Sequence, residues 1–291
     1  MSVDAFLEGN HIDRADVMLT RRHGSIFSWL IRWATKSQFS HAALVFLVPY
    51  REREYTDTFV IEAGTKGVDL TNLEDYVKDR ASVVAIKRFR SATMARAAVQ
   101  QATDSWFDEN VQKVVRGRML NKIKSKYNFG KIFAIGFELL DQMVFGMRER
   151  VQGRQRAIAS RRKKGKTAPN EFICSGLVQL GFVEAVGELV RAGRVPPIAL
   201  KEVVFLPEIA GLLPDDWENF TDQEVREIVD LFVDGWRPEL EAIKPIDLAA
   251  SEHLEWRFVI IDGWVHRVRS VSEAYALLEW EPDFMGEPMG A

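Results

Sequence analysis

The chain has 291 residues, 47% of them hydrophobic and 28% charged, the balance of a soluble globular protein with one large domain or two ordinary ones, not of a disordered or fibrous chain. Its net charge of −3 is too near neutral to name a partner, and a single cysteine, Cys174, excludes an internal disulfide and any multi-cysteine metal centre. One cysteine also fits a reducing compartment.

At the N-terminus, MSVDAFLEGNHIDRADV carries acids where an export signal has a basic and then an apolar stretch. No apolar run approaches the ~18 residues of a membrane-spanning helix. The expectation is a cytoplasmic protein without a transmembrane segment, with delivery by a signal-independent route left open. Asp16 to Thr20 forms a short apolar strand candidate. A helix follows, with Ile26, Leu30, Trp33 and Ala34 at helical spacing. His41 to Val48 is a continuous apolar run that reads as a strand buried on both faces. Further β-like runs span Thr58 to Ala63 and Ser82 to Phe89, which predicts an antiparallel meander.

Ser91 to about Glu109, Lys131 to Arg150 and Asn170 to Val190 carry helical patterns. Met147 to Lys166 holds nine Lys/Arg against one Glu. That stretch, Arg161, Arg162, Lys163 and Lys164 above all, offers contacts to an anionic surface; the alternative is a solvated helix and loop. It lacks interleaved aromatics for base stacking, so nucleic acid is disfavoured as a partner. From Glu202 onward the chain turns acidic, six basic residues against 21 acidic. A helix is expected near Thr221 to Gly235, and Asp262-Gly263 between two β-like runs signals a hairpin. SVSEAYALLEW is a last helix candidate.

Three residues carry the chemistry. Cys174 falls in the first turn of a helix that Asn170 can cap, where free N–H groups and the macrodipole stabilise a thiolate. Ser175 and Gly176 beside it are small and leave room for a substrate carbonyl. The alternative is that Cys174 is a small buried apolar residue without chemistry. Among the histidines His11, His23, His41, His253 and His266, only His41 opens a strongly apolar strand, directly after Ser40. A polar ring there needs a hydrogen-bond partner or an open cleft. If the strands on either side of residues 49–57 pair in a register summing to 103, His41 stands opposite Glu62, which can fix its tautomer. A one-residue slip would turn one of the two side chains to the other face.

These residues resemble a known group. DVMLTRRHGSIFSWLIRWATKSQFSHAALVF, VIEAGTKGVDLTNLEDYV, VVAIKRF, YNFG and FICSGLVQL are similar to the circularly permuted, YiiX-type branch of the NlpC/P60 papain-like cysteine hydrolases, relatives of the lecithin–retinol acyltransferase-like enzymes. The resemblance covers about residues 14–190, and its main blocks are Thr35-x-Ser37-x-Phe39-Ser40-His41, Ile61 to Gly64 and Cys174 to Val178. It implies an α+β papain-like fold, an antiparallel meander packed on helices. The catalytic domain would span 14–190 with a basic helical insertion at about 131–169. An acidic, mostly helical extension with a late hairpin would follow over 191–291. It implies Cys174 as nucleophile, His41 as base and Glu62 as orienting residue. Tyr127, Ser40 and Ser175 are the candidate substrate-binding residues. The family usually has Gly-Asp at the first strand, where this chain has Ala15-Asp16.

The expected activity is thiol-dependent hydrolysis of an amide in a small peptide or cell-wall-like substrate, without metal or organic cofactor. A lipid-directed acyltransferase or phospholipase is the alternative enzyme, suited by KIFAIGFELLDQMVFGM as an interfacial helix ahead of the basic stretch. A non-catalytic interaction scaffold is the alternative of another class.

Overall fold

The computed structural model describes residues 1–50, 56–64, 67–91, 106–123, 126–127, 171–172 and 174–278. In chain order the elements begin with α1 (Val3–Glu8), β1 (Val17–Arg22), α2 (Ile26–Thr35) and β2 (His41–Leu47). β3 (Phe59–Gly64), β4 (Gly67–Asn72), α3 (Glu74–Val77), β5 (Ser82–Phe89) and α4 (Glu109–Leu120) follow. Two short strands, β6 (Lys126–Tyr127) and β7 (Glu171–Phe172), precede the long helix α5 (Cys174–Arg191). The acidic region contributes α6 (Ile198–Glu202), α7 (Pro207–Ala210), α8 (Asp222–Gly235), α9 (Arg237–Leu240) and α10 (Pro245–Ala250). The hairpin β8 (Leu254–Ile261) and β9 (Trp264–Arg267) and the helix α11 (Val271–Leu278) complete it.

The fold is α+β, built on a seven-stranded antiparallel sheet in the order β4-β3-β2-β1-β5-β8-β9. Side-chain alternation gives the sheet two apolar faces. Val17, Leu19, Ala42, Leu44, Ile61 and Ala63 face the helical layer that contains α5, while Met18, Ala43, Val45 and Val60 face a smaller layer with Phe6 of α1 and Val77 of α3. Both faces are covered, which is why β1, β2 and β5 read as near-continuous apolar runs.

Helix α5 lies at the centre of the larger layer, between the sheet on one side and α4, α8 and α9 on the other. Val178, Phe182, Val183 and Val186 are fully buried there. Each stabilises the fold by about 1.5–3 kcal/mol through burial alone. Buried Gln179 is satisfied: its amide donates to the Val203 carbonyl and its oxygen accepts from the Phe205 N–H.

Two cations on β5 tie it to its surroundings. Arg88 on β5 donates twice, at 2.7 Å each, to the carboxylate of Asp16 ahead of β1. Lys87 is wholly buried and donates to the carbonyls of Leu248, Ala249 and Ser251, closing the C-terminal end of α10. Burial pushes its ammonium down to about 7. Ala15, beside Asp16, adopts a left-handed φ of 63°, a conformation that costs an L-residue about 1 kcal/mol and glycine nothing.

Several expectations need correction. β4 was not expected; its polar alternation, GVDLTN, is that of an edge strand with one face half-exposed. The helix expected to run from Ser91 to Glu109 falls mostly outside the described residues. Within the described residues a helix starts at Glu109, because the Asp108 side chain caps the N–H groups of Asn110 and Val111. The helix placed from Asn170 begins only at Cys174, since Glu171 and Phe172 are extended and pair with Lys126 and Tyr127. Asn170 itself, the helix expected over Lys131 to Arg150, and Arg161 to Lys164 lie outside the described residues.

Asp262 and Gly263 do form the expected turn, with φ of 53° and 80°, the pair of positive values a type I′ turn requires. β8 then pairs with β5, so the C-terminal hairpin extends the sheet that carries β1 to β4. Among the described residues no helix is long and apolar enough to cross a membrane.

The C-terminal region also fixes the start of α5. The Ser175 hydroxyl donates to the Ile243 carbonyl. A Cβ built on Gly176 would stand 2.2 Å from the Glu241 carbonyl oxygen, so only glycine lets the two backbones approach this closely. Gly176→Ala is therefore expected to destabilise the protein by about 3 kcal/mol, because rigid backbone must yield rather than a side chain. Urea denaturation would reveal this as a lower midpoint; an unchanged midpoint would contradict the close packing.

Candidate active site

The candidate site forms where the first residue of α5 meets the first residue of β2. β2 starts at His41 because the Ser40 N–H is held by the Thr20 carbonyl at 2.9 Å and Thr20 stands opposite His41 in the sheet. Alternation puts His41 on the face of Ala43 and Val45, opposite the layer of α5, and only its place at the strand end lets the ring act on the Cys174 thiol. The His41 ring and the Cys174 sulfur are neighbours whose charges act on each other, although 133 positions separate them in the chain.

The backbone N–H groups of Ala42 and Ser175 also favour the thiolate. The second of these is a free amide of the helix N-terminus, where four N–H groups have no partner within the helix. Cys174 is 4% exposed.

Glu62 completes a chain of contacts: its Oε2 is hydrogen-bonded to His41 Nε2. The register that achieves this differs from the expected one. Ala43 stands opposite Glu62 and Leu44 opposite Ile61, a sum of 105 rather than 103. The slip is two residues, so it preserves the face, and His41 reaches Glu62 along the diagonal of the strand pair. A bulge between Val45 and Leu47 and the long connection after β2 set this offset, where a tight turn would have fixed another. With Nε2 turned to Glu62, the remaining nitrogen, Nδ1, is the one available to the thiol.

Two residues not anticipated from the sequence hold Glu62. Thr71 on β4 donates its hydroxyl to Oε1 at 2.5 Å, and Tyr76 on α3 donates its hydroxyl to Oε2 at 2.6 Å. Thr71 shares the Glu62 face because it stands opposite Val60, two residues back along β3. The Tyr76 ring also lies nearly parallel to the His41 ring, 6.4 Å between centroids. Both residues sit in the unexpected edge strand and the short helix behind it; without that strand, nothing in the sequence pointed to them.

The electrostatics follow from burial opposed by neighbours. Burial alone would push the His41 imidazolium down; the Cys174 sulfur and the Glu62 carboxylate, one on each side of the ring, outweigh it and raise His41 to about 10. Burial would push the Cys174 thiol up; the His41 charge and the two backbone N–H donors outweigh it and hold the thiol below its ordinary range. Glu62 is likewise pushed up by burial and brought down to about 2 by His41, Thr71 and Tyr76. Burial and then the Glu62 charge drive the Tyr76 hydroxyl far above its ordinary range, so it remains a donor at all physiological pH.

The other candidates are placed differently. The Ser175 hydroxyl is buried and committed to Ile243, and the Ser40 hydroxyl lies 2.8 Å from that of Ser28; these are scaffold bonds. The backbone of Tyr127 pairs with Phe172, two residues before Cys174. His11 and His253 stack in aromatic clusters away from the thiol. Among the described residues no group of three or more His, Cys, Asp and Glu side chains is arranged to hold a metal ion.

The chain matches no protein-family model, and no curated protein matches it in sequence.

Because Cys174 is the only cysteine, alkylation reports this site alone. A thiol held low beside an imidazolium held high exists as thiolate–imidazolium well below the ordinary thiol titration. Iodoacetamide is thus expected to alkylate Cys174 with a pH profile displaced to lower pH than that of an ordinary thiol. In His41→Ala the profile should move towards that of an ordinary thiol, near 8.5. A parent profile already centred there would contradict the pairing.

Proposed function

We propose that the protein is a cysteine hydrolase that cleaves an amide bond through a thioester on Cys174. The observation that carries this reading is the His41–Glu62 hydrogen bond beside a thiol at a helix N-terminus, with His41 and Cys174 each shifting the other's titration. A buried cysteine serving only as packing would not need beside it an imidazole that is itself held by a buried carboxylate.

In the reaction, the Cys174 thiolate attacks the carbonyl carbon and the C–O π electrons move onto oxygen. The negative charge on that oxygen is held by backbone N–H groups at the start of α5, each donor contributing about 3 kcal/mol. His41 Nδ1 then gives its proton to the leaving nitrogen as the C–N bond breaks, leaving an acyl thioester. Neutral His41 next takes a proton from water as its oxygen attacks the thioester. The C–S bond breaks, the acid departs and the thiolate is restored. Glu62 holds the ring in one orientation through both halves and stabilises its charged form.

The reading is strengthened by the resemblance to the permuted NlpC/P60 hydrolases, in which histidine also precedes cysteine. Ala15 takes a left-handed backbone at the place where that group usually has glycine. The papain-like topology, a domain spanning residues 14–190 and a short peptide as substrate are part of the same proposal. So is a cytoplasmic location.

The test is turnover of short N-blocked peptide anilides together with intact-mass measurement of the quenched enzyme. An adduct of acyl mass on Cys174 that disappears with hydroxylamine is expected. Cys174→Ala should abolish turnover, and His41→Ala should reduce it by about 10²–10⁴. Hydrolysis that persists in Cys174→Ala would overturn the assignment.

A further inference from the structure

We infer that Tyr76 and Thr71 are positioning residues that fix the Glu62 carboxylate, and through it the orientation of His41 beside the Cys174 thiol. The inference rests on the reading of Cys174, His41 and Glu62 as the working site, and extends it by one layer.

Glu62 is 8% exposed, so water does not satisfy its oxygens. Its partners are three: His41 and Tyr76 on Oε2, Thr71 on Oε1. A carboxylate on a flexible stem with only the His41 bond would be free to rotate about its last torsion, which is broad and roughly two-fold. One donor on each oxygen, in addition to His41, removes that freedom. The donors come from separate elements, Thr71 from the sheet edge and Tyr76 from α3, so the carboxylate is held from two directions.

The two donors also bear on charge. Burial works against the Glu62 anion, and the hydrogen bonds from Thr71 and Tyr76 assist His41 in opposing it. Donation to Oε2 draws electron density from the oxygen that faces His41 and by itself would weaken the hold on the imidazolium proton. That effect is the smaller one here, because Glu62 is far below neutrality in its titration and stays ionised with or without one donor. Orientation is therefore what the hydroxyls control. The Tyr76 ring also lies nearly parallel to the imidazole.

The experiment is the pH profile of iodoacetamide alkylation of the full chain, with no substrate required. Tyr76→Phe keeps the ring and removes only the hydroxyl; Thr71→Val removes the second donor at similar volume, and Thr71→Ser restores it. In Tyr76→Phe the thiolate profile is expected to shift to higher pH, with alkylation at about pH 6 slowed roughly three- to tenfold, the worth of one charge-assisted hydrogen bond. Thr71→Val should shift it likewise, Thr71→Ser much less, and the double variant further than either.

A purely structural role would lower the melting temperature and leave the profile in place. In a Glu62→Gln background Tyr76→Phe should add nothing, since its route to the thiol runs through Glu62. Overlapping profiles for the parent and both single variants would overturn the inference, as would an undiminished Tyr76→Phe effect in Glu62→Gln. If His41→Ala shifts the profile and these variants do not, the positioning inference fails alone. If His41→Ala does not shift it either, the ion pair fails and both proposals fall together.

Discussion

Everything distinctive in this molecule depends on one contact, the meeting of a helix N-terminus with a strand N-terminus that brings the Cys174 sulfur against the His41 ring. Neither group would keep its charge in such a place alone. Removing a thiolate and an imidazolium from water costs several kcal/mol each, and the attraction between them offsets that only when the remaining polar valences are also satisfied. Here the backbone amides of Ala42 and Ser175 favour the thiolate, a carboxylate holds the ring, and two hydroxyls hold the carboxylate.

The scaffold explains how such a group of charges is kept in register. His41, Glu62 and Thr71 share one face across three adjacent antiparallel strands, where spacing is fixed by the backbone ladder. Cys174 is delivered by α5, a helix buried nearly all round and clamped at its start by Gly176 against Glu241 and by Ser175 against Ile243. The acidic C-terminal region thereby has a direct part in placing the thiol. Its hairpin extends the sheet, and the segment following α9 is the surface on which the first turn of α5 rests.

The central strands and the two principal residues were legible in the sequence because burial on both faces leaves a dense apolar signature, and because a histidine opening such a run is chemically conspicuous. β5 appears over the expected residues, and the Asp262-Gly263 turn announces itself by the backbone it requires. The destination of β8 was not legible, since pairing with β5 across more than 160 positions leaves no local mark. The register of β2 with β3 was legible in parity but not in offset. The apolar pattern determines which side chains share a face, whereas the bulge near Phe46 determines how far one strand slides along the other. Thr71 and Tyr76 lay hidden because an edge strand with polar alternation resembles a loop. Ser40 and Ser175 illustrate the converse: small hydroxyls adjacent to the key residues in sequence are turned to scaffold bonds in space.

The central claim is that His41 carries a proton on both ring nitrogens at a pH where an ordinary histidine has lost one, because a thiolate and a carboxylate flank it. Nitrogen NMR of the protein labelled at histidine, recorded at about pH 8, tests this directly. One of the five histidines is expected to show both nitrogens in the protonated range, a signal lost in Cys174→Ser and in His41→Ala. A spectrum in which all five histidines are neutral at that pH, with Cys174 intact and reduced, would contradict it.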